Sequence, residues 1–188
     1  KIAIIGYGKM GQMIERLAGQ KGISVVSTID PTNPKAKFKE ISGESLSGVY
    51  VAIDFTHPST VLENVKKVSA LKVPLVLGTT GWHDKMAHVK QIIEDNDSAL
   101  LWAANFSISV ALFTKIVGFA AKQLAAQEDF DVGGYEVHHN QKADAPGGTA
   151  LQLANEVIKN FPRKNKIVSL NPIGKVAPNE LNLSAIRV

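Results

Sequence analysis

The spacing of apolar positions changes part-way along the chain. Up to residue 102, short β-rich apolar runs at 2–5, 25–29, 49–53, 75–77 and 99–102 alternate with stretches of helical spacing such as Val61, Leu62, Val65, Val68 and Leu71. Strands alternating with helices predict βαβ units and a parallel, doubly wound α/β sheet. The segment 30–48 interrupts this beat with Pro31, Pro34 and three lysines, and is expected to be mostly surface loop. After Phe106 the pattern becomes one long helix with Ile108, Leu112, Ile116, Phe119, Ala120 and Leu124 on one face. A strand over 130–137, a helix through Leu151, Ala154, Val157 and Ile158, and a last strand near 181–188 follow. The pattern therefore predicts two domains, 1–106 and 107–188, the second a smaller α+β unit.

Composition narrows the class. In 188 residues, 45% are hydrophobic and 20% charged, an ordinary globular balance that argues against disorder. The chain shows no signal-peptide pattern and no apolar run of the length expected to cross a bilayer, so a cytoplasmic protein with no membrane partner is expected. The absence of cysteine excludes disulfides, thiolate metal sites and cysteine nucleophiles. The net charge of +4 comes from scattered lysines with only 6% aromatic residues, which suits a small anionic ligand better than nucleic acid.

The first chemical motif is GYGKMG, residues Gly6, Tyr7, Gly8, Lys9, Met10 and Gly11, between the first strand and the first helix. Glycines at this spacing permit a tight turn, close approach of backbone to a pyrophosphate and close helix packing, and the helix N-terminus offers N–H groups to phosphate. Asp30 ends the second strand about twenty residues later, where a carboxylate bonds adenosine ribose hydroxyls in a Rossmann-type domain. The combination points to NADH or NADPH. Asp30 favours NADH, while Lys35 and Lys37 in the following loop offset its charge toward NADPH. Two more loops, DFTHP at 54–58 and GTTG at 78–81, fall past strand ends, where Gly78, Thr79 and Thr80 are placed to reach the nicotinamide half. The plainer reading makes them ordinary turns, with Thr56 an N-cap and His57 exposed.

The stretch EVHHNQKADAPGGTA, residues 136–150, gathers His138, His139, Lys142 and Asp144 ahead of a helix start. Adjacent histidines on a strand point to opposite faces, which disfavours a shared metal ion, and no metal site is expected. General acid chemistry suits histidine and lysine beside an anionic substrate. A hydrogen-bonded histidine pair with an exposed lysine fits the spacing as well. Gly147, Gly148 and Thr149 open the helix, whose N–H groups and hydroxyl can receive a carboxylate.

Together with GTTG and AANFS at 103–107, this stretch resembles the 4-hydroxy-tetrahydrodipicolinate reductase (dihydrodipicolinate reductase) family of lysine and diaminopimelate biosynthesis. The resemblance runs from the first strand to the last residue. It implies a dinucleotide-binding domain followed by a substrate-binding and oligomerisation domain, a homotetramer, and hydride transfer from NADH or NADPH to a cyclic dicarboxylate. By position it makes His138 and Lys142 the proton-transfer pair and gives substrate binding to His139, Gly148 and Thr149. It assigns cofactor contacts to residues 6–11, Asp30, residues 78–80, and Ala103, Ala104, Asn105 and Phe106. The chain departs from the family pattern in its shorter first loop, in Gly147 for serine and in Ser109 for glycine. Family chains also continue past an R-x-G segment where this one reads AIRV, so the resemblance implies that about a fifth of a family-length chain is absent here. Two other classes also fit the first motif: another two-domain dehydrogenase of amino-acid metabolism, and a non-catalytic dinucleotide sensor.

Overall fold

The structure, a computed structural model, describes residues 1–142, 144–169 and 174–188 and divides into two compact units, Lys1–Ala104 and Asn105–Val188. Ala143, inside the histidine-rich stretch, lies outside the described residues.

In the first unit the strands are β1 (Ile2–Ile5), β2 (Val25–Ile29), β3 (Val51–Asp54), β4 (Leu75–Leu77) and β5 (Leu100–Trp102). They form one parallel sheet in the order β2-β1-β3-β4-β5. The helices α1 (Lys9–Gln20), α2 (Val61–Ala70) and α3 (Met86–Asp95) connect them. The alternation of side chains along a strand assigns each apolar residue to a face. Ile2 and Ile4 pack with Ile14 and Ala18 of α1, whereas Ala3 and Ile5 pack with Val61, Val65, Val68 and Val89 of α2 and α3. Helices thus lie on both faces, which is why these strands read as apolar runs without alternation. The reversal of strand order around β1 and β3 makes their carboxyl ends the switch point where such sheets bind ligands.

Segment 30–48 is less superficial than its composition suggests. Ala36, Ser45 and Leu46 are buried and Phe38 packs on the main core. Phe38 also pairs with Ile29 through the bonds Asp30 N–H to Phe38 carbonyl and Phe38 N–H to Thr28 carbonyl. The expected cap also moves: Thr56 donates to Asp54, and the side chain of His57, itself exposed, caps the 3-10 turn at Pro58–Thr60 instead.

The second unit carries α4 (Ile108–Ala125), β6 (Gly134–His138), α5 (Gly148–Asn160), β7 (Lys166–Val168) and β8 (Glu180–Arg187), with the sheet order β6-β8-β7. β6 begins later than expected, and β7 was not foreseen. The helical spacing of α4 holds, and the face with Ile108 and Phe119 is the outer one. Gly118 and Ala121 are buried, together with Ala154, Val157 and Phe161, whereas Ile108 is 78% exposed and Phe119 68%. The cause is that α4 is apolar nearly all round, so its small residues make the close contact with α5. At 18 residues with mean hydropathy 1.4, α4 is long and apolar enough to cross a membrane, contrary to the expectation that no run reaches that length.

Candidate active site

The glycine loop follows from local sterics. Gly6 has φ +86°, and a Cβ there would collide with the Phe55 carbonyl, while one on Gly11 would collide with the Gly6 carbonyl. Both positions need glycine for the loop to turn tightly over β1 into α1. Gly8, Lys9 and Met10 are exposed, and among the described residues no side chain caps the start of α1. Its N–H groups therefore fit a phosphate.

Asp30 organises the neighbouring loop. One carboxylate oxygen accepts from the Tyr7 N–H at 2.9 Å, and the other accepts from Thr32 N–H, Thr32 hydroxyl and Asn33 N–H at 2.8–2.9 Å. Burial opposes ionisation, but these hydrogen bonds outweigh it and hold the carboxyl at about 2. Lys37, expected to offset this charge, turns away: its ammonium lies 5.2 Å from the Phe38 ring centroid and 3.4 Å from the Val26 carbonyl.

Asp54, at the end of β3, ties the two other loops together. Its carboxylate accepts from Thr56 N–H at 3.0 Å, Thr56 hydroxyl at 2.7 Å, Thr79 hydroxyl at 3.1 Å and Asn64 amide at 2.8 Å. Burial pushes its carboxyl up, against these hydrogen bonds. The Thr79 hydroxyl also accepts from Thr56 N–H at 2.9 Å, and its carbonyl accepts from the indoles of Trp82 and Trp102 at 2.6 and 3.2 Å. Thr79 is thus buried and engaged inside the fold. Its hydroxyl was expected to face a ligand; the exposed Thr80 and the backbone of Gly78 are left for that task. Ala103 donates to the Leu77 carbonyl at 3.4 Å. In the second unit the exposed Asn105 accepts from Ser107 N–H at 2.8 Å, beside Phe106, ahead of α4.

The second unit places the histidine stretch at the carboxyl end of β6. Glu136 and His138 share one strand face, and Arg187 of β8 lies in register with His138. Glu136 is buried; one carboxylate oxygen accepts from Gly147 N–H at 3.0 Å and the other from Arg187 at 3.2 Å. The His138 Nδ1 has no hydrogen-bond partner among the described residues and sits 3.5 Å from the Glu136 carboxylate. A protonated ring converts that gap into an ion pair. His139, one residue on, is exposed and accepts from Gln141 N–H at 3.2 Å. Lys142 pairs with Asp144 at 2.6 Å, and this ammonium, helped by backbone N–H groups, holds the Asp144 carboxyl below the usual range. Gly148 and Thr149 are exposed at the start of α5, where Gly147 is the N-cap residue and the Gly148 N–H bonds the Asp144 carboxylate.

Two family models cover nearly the whole chain: one described as dihydrodipicolinate reductase, N-terminus, matches residues 1–106, and one described as dihydrodipicolinate reductase, C-terminus, matches residues 109–188. The chain belongs to the dihydrodipicolinate reductase family. Members are NAD(P)H-dependent oxidoreductases of lysine biosynthesis. A 4-hydroxy-tetrahydrodipicolinate reductase of Christiangramia forsetii is 35% identical over 84% of this chain and 64% of its own length. One from Staphylococcus aureus strain RF122 is 31% identical over 100% of this chain and 77% of its own. The chain thus spans slightly under two thirds of the first relative and about three quarters of the second. Among solved structures, a dipicolinate-bound dihydrodipicolinate reductase from Paenisporosarcina sp. TG-14 superposes with TM-score 0.73 at 26% identity, over 100% of this chain and 78% of that one. A putative oxidoreductase, yvaA of Bacillus subtilis, shares the fold alone, at TM-score 0.56 and 13% identity.

Sequence reasoning named His138 and Lys142 but passed over Glu136 and Asp54 as working groups. The signal for Glu136 was present in strand alternation, since a residue two before His138 must share its face. Arg187 could not be placed from the sequence, because its partner Glu136 is 51 residues away.

Proposed function

We propose that the chain performs the reductase chemistry of its family, transferring a hydride from NADH or NADPH to a cyclic dihydrodipicolinate-type dicarboxylate. The observation that carries this reading is the grouping of His138, Lys142 and the start of α5 at Gly147 about one buried carboxylate, Glu136. A dinucleotide sensor has no use for such a group.

The reduced nicotinamide, when bound, supplies the hydride. The glycine loop and the start of α1 would hold its phosphates, Asp30 its ribose hydroxyls, and Gly78, Thr80, Ala103 and Ala104 its nicotinamide half. On the substrate side, Gly148, Thr149 and His139 receive carboxylates through N–H, hydroxyl and imidazole donors. Lys142 adds positive charge, exchanging its Asp144 partner for the substrate. His138 or Lys142 would donate a proton to the substrate atom that takes up negative charge on reduction, which would leave the product neutral at that position. An ionised Asp30 repels a 2'-phosphate, and Lys37 lies turned from it, so NADH is the preferred donor. The apolar outer row of α4 supports self-association, in line with a homotetramer of the family-length chain. The test is NADH and NADPH oxidation followed with freshly made dihydrodipicolinate-type substrate. Faster oxidation of NADH than of NADPH is expected, and no oxidation of either by a family-length chain contradicts the reading.

A further inference from the structure

Arg187 occupies the second strand of the substrate-side cluster. Its Nε donates to the Lys142 carbonyl at 3.4 Å, its Nη2 to the Asp144 carbonyl at 2.5 Å and to Glu136 at 3.2 Å, and its Nη1 to the Ile186 carbonyl at 3.0 Å. A guanidinium has five N–H donors, so most of this one is taken up by protein. An arginine that grips a substrate carboxylate presents an open two-pronged fork, and Arg187 has none to present.

Glu136 completes the arrangement from the other side. Its side chain is 8% exposed, and its second oxygen accepts the Gly147 N–H. Arginine and glutamate therefore fasten the stretch bearing Lys142 at residues 142, 144 and 147, through bonds that any shift of these residues would break. The fit is close: a Cβ on Gly147 would approach both the Glu136 carboxylate and the Lys142 Cε to 2.9 Å. A buried pair of this kind adds little net stability, because desolvation offsets its attraction, and its value lies in selecting one conformation.

We infer that Arg187 and Glu136 are positioning residues, which set Lys142 against His138 and the start of α5 without touching substrate themselves. This inference rests on the proton-transfer role of Lys142 given above.

The test compares Arg187→Gln, Arg187→Lys, Glu136→Gln and the double glutamine variant, each alone and with Lys142→Ala, in a family-length chain. Each single variant is expected to lower kcat by about tenfold to a hundredfold, the usual consequence of displacing a reacting group by about an ångström, with KM for the dicarboxylate within about threefold. Lysine should not rescue Arg187, since it cannot bridge two carbonyls and a carboxylate. The double variant should lose no more than the worse single one, and the Arg187 variants should not lower kcat further once Lys142 is alanine. Binding of pyridine-2,6-dicarboxylate by calorimetry supplies a readout without turnover, expected to stay within about threefold of the parent in the Arg187 variants. A KM or dissociation constant raised more than tenfold, or losses that multiply in the double variant, overturns the inference. So does normal kcat in the Arg187 variants when Lys142→Ala is impaired. If Lys142→Ala itself keeps full turnover, the fault lies in the Lys142 role instead.

Discussion

The two units hold their proposed ligand-facing groups in place by different means. In the first, backbone does most of the work: β1 ends in a glycine loop and a helix start without a side-chain cap, and the carboxylate of Asp54 sits inside the fold, tying Thr56 to Thr79. In the second, side chains do it: a segment with two glycines and a proline is fixed by Glu136, Arg187, Lys142 and Asp144 acting as charges. The difference suits the two tasks. A pyrophosphate needs many weak donors in fixed directions, which a helix N-terminus supplies. A proton donor needs one titratable group held at one place, which a network of charges supplies.

Variants that strike one unit should leave the other's property intact. The largest effect is expected for His138→Ala, with kcat lower by about two to four orders of magnitude and NADH affinity unchanged; a comparable fall in NADH affinity would erase the distinction between the units. Gly6→Ala should act in the reverse sense. At φ +86° and against the Phe55 carbonyl it strains the loop by about 1–3 kcal/mol, so NADH binding weakens by about tenfold or more in fluorescence titration, while dicarboxylate binding holds.

Smaller effects come from the buried polar groups. Thr79→Val leaves the Asp54 carboxylate and the Thr56 N–H each short of a partner, and should cost about 1–3 kcal/mol in denaturant unfolding. An unchanged midpoint would mean that Asp54 is held without it. Asp30 is the smallest. The fold depresses its carboxyl from 3.8 to about 2, so its contribution is complete above pH 4 and lost as pH falls toward 2. Relative to Asp30→Asn, the parent should lose about 1 kcal/mol more stability across that window, after allowance for solvent screening. Parallel acid denaturation curves would contradict it.

The same contrast explains what was legible in the sequence. Gly6, Gly8, Gly11 and Asp30 could be read from spacing, because a glycine loop between strand and helix is a local pattern with a local cause. The parallel sheet was legible for the same reason, apart from residue-level bounds such as β3 beginning at Val51. The ion-pair network was not, because Glu136 and Arg187 meet only once β6 and β8 are paired. The faces of α4 were not legible for a further reason: with Ile108, Leu112 and Phe119 on one side and Gly118 and Ala121 on the other, apolarity alone does not say which packs inward. β7 reads Lys166, Ile167, Val168, with too short an apolar run to stand out from its polar flanks.

The most direct measurement sets turnover against NADH affinity for Lys142→Ala and its parent in a family-length chain. The account predicts equal NADH dissociation constants and a kcat lower by about two to four orders of magnitude with the dicarboxylate substrate. Equal turnover, or NADH binding lost along with turnover, would contradict it.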